Sequence, residues 1–129
     1  MQELNTSKLI LVVDDEEMSM ALIADVLGLA GYRVLKASDG TQAVTCLKDH
    51  DPDLVIADLN MPNLNGWQLG LWIMENRAKK IPLIFLSSLI NEGGPPGQAE
   101  FGDYYMPKPF KAEILIKKVE ELLTAKKGT

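Results

Sequence analysis

Cysteine and histidine are nearly missing from this chain, which has one of each, Cys46 and His50. A lone thiol closes no internal disulfide, and these two residues cannot assemble a zinc site by themselves. An excess of basic charge is missing too. Thirteen Lys and Arg face eighteen Asp and Glu, a formal net charge of -5, so the surface repels phosphate backbones and direct nucleic-acid binding is not expected. No apolar run approaches the roughly 18 residues needed to cross a bilayer. The N-terminus lacks a signal peptide's basic stretch and long apolar core. Ten Gly and seven Pro among 129 residues exclude collagen-like and wholly disordered classes. These absences leave a cytoplasmic protein without a membrane segment. The expectation is a single domain over residues 1–129 with one core, frayed at about 1–7 and 125–129.

Two apolar patterns alternate along the chain. Short unbroken runs of branched aliphatics lie at Leu9–Val13, Leu54–Ala57 and Leu83–Leu86. Runs without period-two alternation suit strands buried on both faces of a parallel sheet. Between them lie amphipathic segments of helix length. Met18–Ala30 carries Leu22, Ile23, Val26, Leu27 and Ala30 at helical spacing and stops at Gly31. A second helix opens on an Asp39-x-x-Gln42 capping box and sets Ala43 and Leu47 one turn apart. A third follows Gly66 with Leu69 and Ile73 inward, and the last, Lys111–Leu123, is expected to bury Leu115, Val119 and Leu122. With Arg33–Ala37 and Tyr104–Met106, five strands alternate with helices. Right-handed βαβ crossovers then give an open parallel α/β sheet covered on both faces. One crossover departs from this rhythm: Asn91–Gly97 holds three Gly and two Pro, which cannot sustain a helix interior.

In such a sheet, ligands sit beyond the carboxyl ends of the strands. Asp14, Asp15, Glu16 and Glu17 follow the first strand, Asp58 the third, Ser87 and Ser88 the fourth, and Lys108 and Pro109 the fifth. Carboxylates ~4 Å apart repel by roughly 4 kcal/mol per pair at an effective dielectric near 20, so the cluster calls for a cation. An all-oxygen site with room for water suits Mg²⁺, with Mn²⁺ as a substitute. A metal and a lysine flanking a carboxylate are what phosphoryl transfer to that carboxylate requires. Each residue alone has a blander reading. Asp15 or Glu16 could favour a helix N-terminus, Asp58 could form a turn, and Lys108 could be solvated. Their coincidence at the correct strand ends points to one site.

The chain resembles the receiver domain of two-component response regulators over essentially its whole length. The resemblance rests on Leu11–Glu16, on Asp53–Pro62 with Asn65-Gly66, on Ile81–Ser88 and on Lys108–Phe110, in that order. It implies a flavodoxin-like (βα)5 fold with strand order 2-1-3-4-5. The Gly/Pro-rich segment would then shorten or replace the family's fourth helix. It further implies that Asp58 is the phosphoacceptor and Lys108 the lysine that binds the phosphoryl group. Asp14 and Asp15 would bind the metal, Asp14 mainly through water, with the Asn60 backbone carbonyl and Asp58 completing the set. Ser87 would be the hydroxyl that moves to the phosphoryl group, Tyr105 the rotating aromatic, and Asn60 and Leu89 the residues that tune hydrolysis. The Lys108–Pro109 peptide would be cis. The implied partner is a sensor histidine kinase or histidine phosphotransfer domain, docking on the first helix, and the chain would be no enzyme beyond phosphorylating and dephosphorylating itself. Because the family's usual dimer face includes the altered fourth helix, a monomer is expected.

Other classes fit less well. A Mg²⁺-dependent aspartyl phosphohydrolase needs a second acid two residues after its nucleophile, where Asn60 stands. A flavodoxin-type cofactor binder needs a Ser/Thr/Gly-rich first loop, where Asp14–Glu17 would repel phosphate. A receiver-like module that only binds partners would be expected to have lost Asp58, Lys108 or one of the acidic pair. Trp67, Leu71, Trp72 and Met74 make the third helix apolar beyond its inward stripe, either as thicker core or as a partner surface.

Overall fold

The computed structural model describes residues 8–61, 64–77, 80–87 and 103–127, with side chains to 124. Five strands, β1 (Leu9–Val13), β2 (Arg33–Ala37), β3 (Leu54–Asp58), β4 (Leu83–Ser87) and β5 (Tyr104–Pro107), form one sheet. All pairings are parallel, in the order β2-β1-β3-β4-β5. Four helices are described: α1 (Glu17–Leu29), α2 (Gly40–Asp49), α3 (Gly66–Asn76) and the C-terminal α4 (Ala112–Lys127). This is a doubly wound, flavodoxin-like arrangement. The segment 88–102, with Leu89 and the Gly/Pro-rich crossover, lies outside the described residues, as do residues 1–7 and 128–129; residues 125–127, expected to fray, continue α4.

The unbroken apolar runs have a direct cause. Successive strand residues face opposite sides. Leu11 and Val13 of β1 join Val55, Ala57 and Phe85 in a layer under α2 and α3, where Ala43, Leu47, Leu69 and Ile73 are buried. Ile10 and Val12 join Ile56, Ile84 and Leu86 under α1 and α4, against Ile23, Leu27, Leu115 and Val119. Both faces are core, so no strand position in the centre is left for a polar residue.

The helices differ from expectation in detail. Leu22 is 54% exposed, and only Ile23 and Leu27 of α1 are fully buried. In α4 it is Leu123, not Leu122, that completes the buried stripe with Leu115 and Val119. Asp39 does cap α2, accepting from Gln42 N at 2.8 Å, but Gln42 Oε1 accepts from Ser38 N and closes no box on Asp39. The full capping box is on α3, where Asn65 and Gln68 each accept the other's backbone N–H at 2.9 Å. Gly31, with φ 97°, ends α1 in the left-handed region that glycine favours.

Strand bounds bear on the site. Asp58 and Ser87 are the last residues of β3 and β4, not the first residues beyond them. They are therefore held in register: Asp58 pairs with Leu86, and Ser87 pairs with Pro107.

Candidate functional site

Backbone bonds between neighbouring strands fix each polar residue at the carboxyl edge. Asp14 N donates to Ala37 O at 3.1 Å, Leu59 N to Leu86 O at 2.9 Å, and Lys108 N to Ser87 O at 3.0 Å. The Lys108–Pro109 peptide is cis. Gly66, at the start of α3, presses on the chain just after β3. A Cβ there would lie 2.8 Å from Asp58 O and from Leu59 Cα, so no larger residue fits without moving the Asp58 backbone.

Asp14, Asp15 and Asp58 each offer a carboxylate oxygen, and these oxygens lie within 4.8 Å of one another. Asp14 is 1% exposed and Asp58 6%, while Asp15 is open to solvent. The Lys108 ammonium lies 3.1 Å from Asp14 Oδ2, 3.0 Å from Asp58 Oδ2 and 3.0 Å from Glu16 Oε1. Asp58 Oδ1 accepts from Asn60 N at 3.0 Å, and Asp14 Oδ1 accepts from Glu16 N at 2.9 Å. Asp14 Oδ2 has the ion pair but, among the described residues, no hydrogen bond of good geometry, although it is fully buried. A pocket of about 470 Å³ opens over this group, lined by Asp15, Glu16, Ser19, Asp58, Asn60, Lys108 and Pro109.

The electrostatics follow from burial. Desolvation pushes the Asp58 carboxyl above its ordinary range, with help from the Asp14 charge; the Asn60 N–H and Lys108 oppose this without cancelling it. For Lys108, burial alone would favour the neutral amine. Close contacts with the Glu16, Asp58 and Asp14 carboxylates outweigh that and hold the ammonium charged well above the ordinary lysine range. One ammonium thus faces three carboxylates, and the edge keeps a net negative charge that a hard cation would offset.

The residues singled out from sequence fall in two groups. Asp14, Asp15, Asp58 and Lys108 meet at the pocket. Ser87 is 1% exposed and sits beside it, accepting from Asn60 Nδ2 at 2.8 Å. Tyr105 is buried behind the edge in a triangle of rings, 5.5 Å from Phe85 and 5.7 Å from Trp67, with Trp67 also 5.2 Å from Phe85. Leu89 is outside the described residues. Trp67 and Trp72 pack against the core, so much of the apolar character of α3 is core contact; Leu71 and Met74 are exposed.

Three contacts were not legible beforehand. Glu16 occupies the N-cap position of α1 but makes no side-chain cap, and reaches Lys108 instead. Its place next to the acidic pair was the available signal. The Asn60–Ser87 bond joins residues 27 apart, and the Trp67–Tyr105 contact joins two elements; neither spacing carries a local pattern.

Comparison with known proteins agrees with this picture. The family model described as the response regulator receiver domain matches residues 10–120. The polar-differentiation response regulator DivK of Brucella ovis is 24% identical over 119 residues, covering 91% of this chain and 97% of that protein. A Francisella response regulator receiver domain superposes with a TM-score of 0.82 at 26% identity, covering 92% of this chain and 98% of the other. The response regulator TrrA of Thermotoga maritima, solved in complex with Mg²⁺ and BeF, gives a TM-score of 0.78 at 29% identity, covering 89% and 98%.

Proposed function

The chain belongs to the response regulator receiver domain family, and from that premise we propose that it is a phosphorylation-driven switch of a two-component pathway. Asp58 accepts the phosphoryl group. The donor is a phosphohistidine of a sensor histidine kinase or of a histidine phosphotransfer domain, and the cation is Mg²⁺, with Mn²⁺ as a substitute. The carrying observation is the pairing of a buried Asp58 with Lys108 at 3.0 Å beside a buried Asp14 oxygen that has the same ammonium at 3.1 Å and, among the described residues, no well-aligned hydrogen bond.

That oxygen tests the cation's fit. It is buried with an ion pair but no well-aligned hydrogen bond, so it can still take a further positive partner, and an oxygen-only donor set suits a hard divalent ion. Asp14, Asp15 and Asp58, with the Asn60 carbonyl, would hold it. When bound, Mg²⁺ supplies positive charge for the oxygens of the incoming phosphoryl group. The Thermotoga relative, captured with Mg²⁺ and BeF, supports that pairing of groups.

The remaining steps belong to the chain. An Asp58 carboxylate oxygen forms the new bond to phosphorus, and the bond from phosphorus to the donor nitrogen breaks, leaving its electron pair on the imidazole. Lys108 then shifts its attraction towards the phosphoryl oxygens, and the Ser87 hydroxyl turns to donate to one of them. Tyr105 answers that movement through the ring triangle. Water later hydrolyses the acyl phosphate, with Asn60 and Leu89 setting its access.

Incubation with acetyl phosphate and Mg²⁺ should add one phosphoryl mass, acid-labile as an acyl phosphate, and chelation should abolish it. Asp58→Asn should show no incorporation. Equal labelling of that variant would overturn the assignment.

A further inference from the structure

We propose that Asn60 is a latch on Ser87, a positioning residue that holds the hydroxyl away from the pocket until a group on Asp58 displaces it. The inference rests on the reading above, in which Ser87 turns towards that group. Its own basis is the placement of three side chains. Asn60 lines the pocket and is exposed, whereas Ser87 is 1% exposed and is not among the residues that line it. Asn60 Nδ2 donates to Ser87 Oγ at 2.8 Å. The amide therefore stands between the buried hydroxyl and the space above Asp58.

The backbone of Asn60 is anchored independently, since its N–H donates to Asp58 Oδ1 at 3.0 Å. The side chain can thus leave Ser87 without the loop moving. It swings into the open pocket, where water replaces the lost partner at little cost. Occupation of Asp58 would keep the backbone bond and break the side-chain one: the N–H stays on Oδ1 while the amide releases Ser87. The acceptor and the switching hydroxyl are in this way coupled through one residue. The latch sets a threshold, because every occupant of Asp58 must first exchange one hydrogen bond.

The latch and the metal are separable. Asn60→Ala removes the amide and keeps the backbone carbonyl offered to the cation. Beryllofluoride with Mg²⁺ is the probe, since it occupies an aspartyl phosphate site without hydrolysing, and affinity is read by calorimetry on the whole chain. Four proteins are compared: the parent, Asn60→Ala, Ser87→Ala and the double variant. Asn60→Ala should bind about fivefold more tightly than the parent, which corresponds to about 1 kcal/mol and to one exchanged hydrogen bond. In the Ser87→Ala background the same substitution should change affinity less than about twofold, because no hydroxyl remains to be held. A gain equal in both backgrounds would mean that Asn60 merely obstructs the pocket. No gain, or a loss, in the parent background would mean that the bond assists binding. Either result overturns the latch. Absence of beryllofluoride binding by the parent would instead overturn the phosphoacceptor reading on which the latch rests.

Discussion

At the amino end of the sheet, Asp53 Oδ2 accepts from Leu9 N and Asp103 Oδ2 accepts from Leu83 N, each at 2.8 Å. At the carboxyl end, Asp14, Asp15 and Asp58 crowd within 4.8 Å of one another around a single ammonium. The same side chain does opposite work at the two ends. Asp53 and Asp103 each satisfy a strand's first N–H, which the parallel ladder would otherwise leave open. Nearby, Arg77 donates to Leu47 O at 2.6 Å and pairs with Asp51, tying the end of α3 to the end of α2. Here acids and donors are matched. At the other edge, one ammonium faces three carboxylates, with Asp15 beside them, and the excess negative charge suits a cation. Stability is given up where the site lies and recovered at the opposite end of the same strands.

The largest test of that contrast is Lys108→Met. It leaves Asp14 and Asp58 buried with no facing cation, and breaking a buried charge network in this way costs about 3 kcal/mol. Chemical denaturation without divalent ions should show that loss. Addition of Mg²⁺ should recover part of it, since a ligand bound only by the folded state stabilises by mass action. A variant as stable as the parent without Mg²⁺ would mean that the carboxylates are not held together by Lys108.

Asp103→Ala comes next, at about 2 kcal/mol, because Leu83 N loses its acceptor at a buried strand start. Its stabilisation by Mg²⁺ should equal the parent's. A changed Mg²⁺ response would show that the two ends are not independent.

Much of this contrast could be read from the chain, and its limits have physical causes. The strands were legible because burial on both faces removes every polar residue from Leu9–Val13 and Leu54–Ala57. The acidic edge was legible because parallel topology fixes which end of each strand carries the site, so Asp14, Asp58 and Lys108 needed only correct strand assignments. Helix faces were less certain: Leu22 and Ile23 are adjacent and equally apolar, and tertiary packing alone buries the second. Asp39-x-x-Gln42 and Asn65-x-x-Gln68 have the same capping-box spacing, yet only the second closes, because Gln42 turns to Ser38. Glu16 left its helix end because a buried ammonium is a stronger partner than exposed helix N–H groups. Contacts such as Asn60 to Ser87 depend on rotamers at two strand ends, and no periodicity encodes them.

Asp58→Asn should raise stability by about 1–2 kcal/mol in the absence of divalent ions, the reverse of Asp103→Ala. The sign follows from the raised carboxyl. A folded-state value above the unfolded one means that the folded protein holds its proton more firmly. The associated stability is present below the unfolded carboxyl value and is lost as pH rises through the folded one. At neutral pH the parent has lost it, whereas the amide never ionises. Denaturation midpoints of the two proteins should therefore converge as pH falls from 7 towards about 4, the ordinary aspartate range. Excess Mg²⁺ at neutral pH should narrow the gap from the other side by stabilising the parent. A gap independent of both would trace the gain to packing and not to charge.

The smallest effect is expected at Asp51→Asn, and it sharpens the contrast because it also removes one charge from an acid facing a single cation. The Asp51 side chain is 65% exposed, against 7% for Asp58. Water already solvates Asp51, so its ion pair with Arg77 is worth at most about 0.5 kcal/mol and is screened by salt. Arg77 keeps its bond to Leu47 O in the variant, and the tie between the two helices survives. The loss should shrink further in about 1 M salt, where the Debye length is near 3 Å, and should not respond to Mg²⁺. A gain in stability at this position would remove the distinction drawn between the two ends, since deleting a carboxylate would then help wherever it lay. A loss above about 1.5 kcal/mol would place a strongly coupled charge at the amino end as well, and burial would no longer separate the acids that serve the fold from those that serve the site.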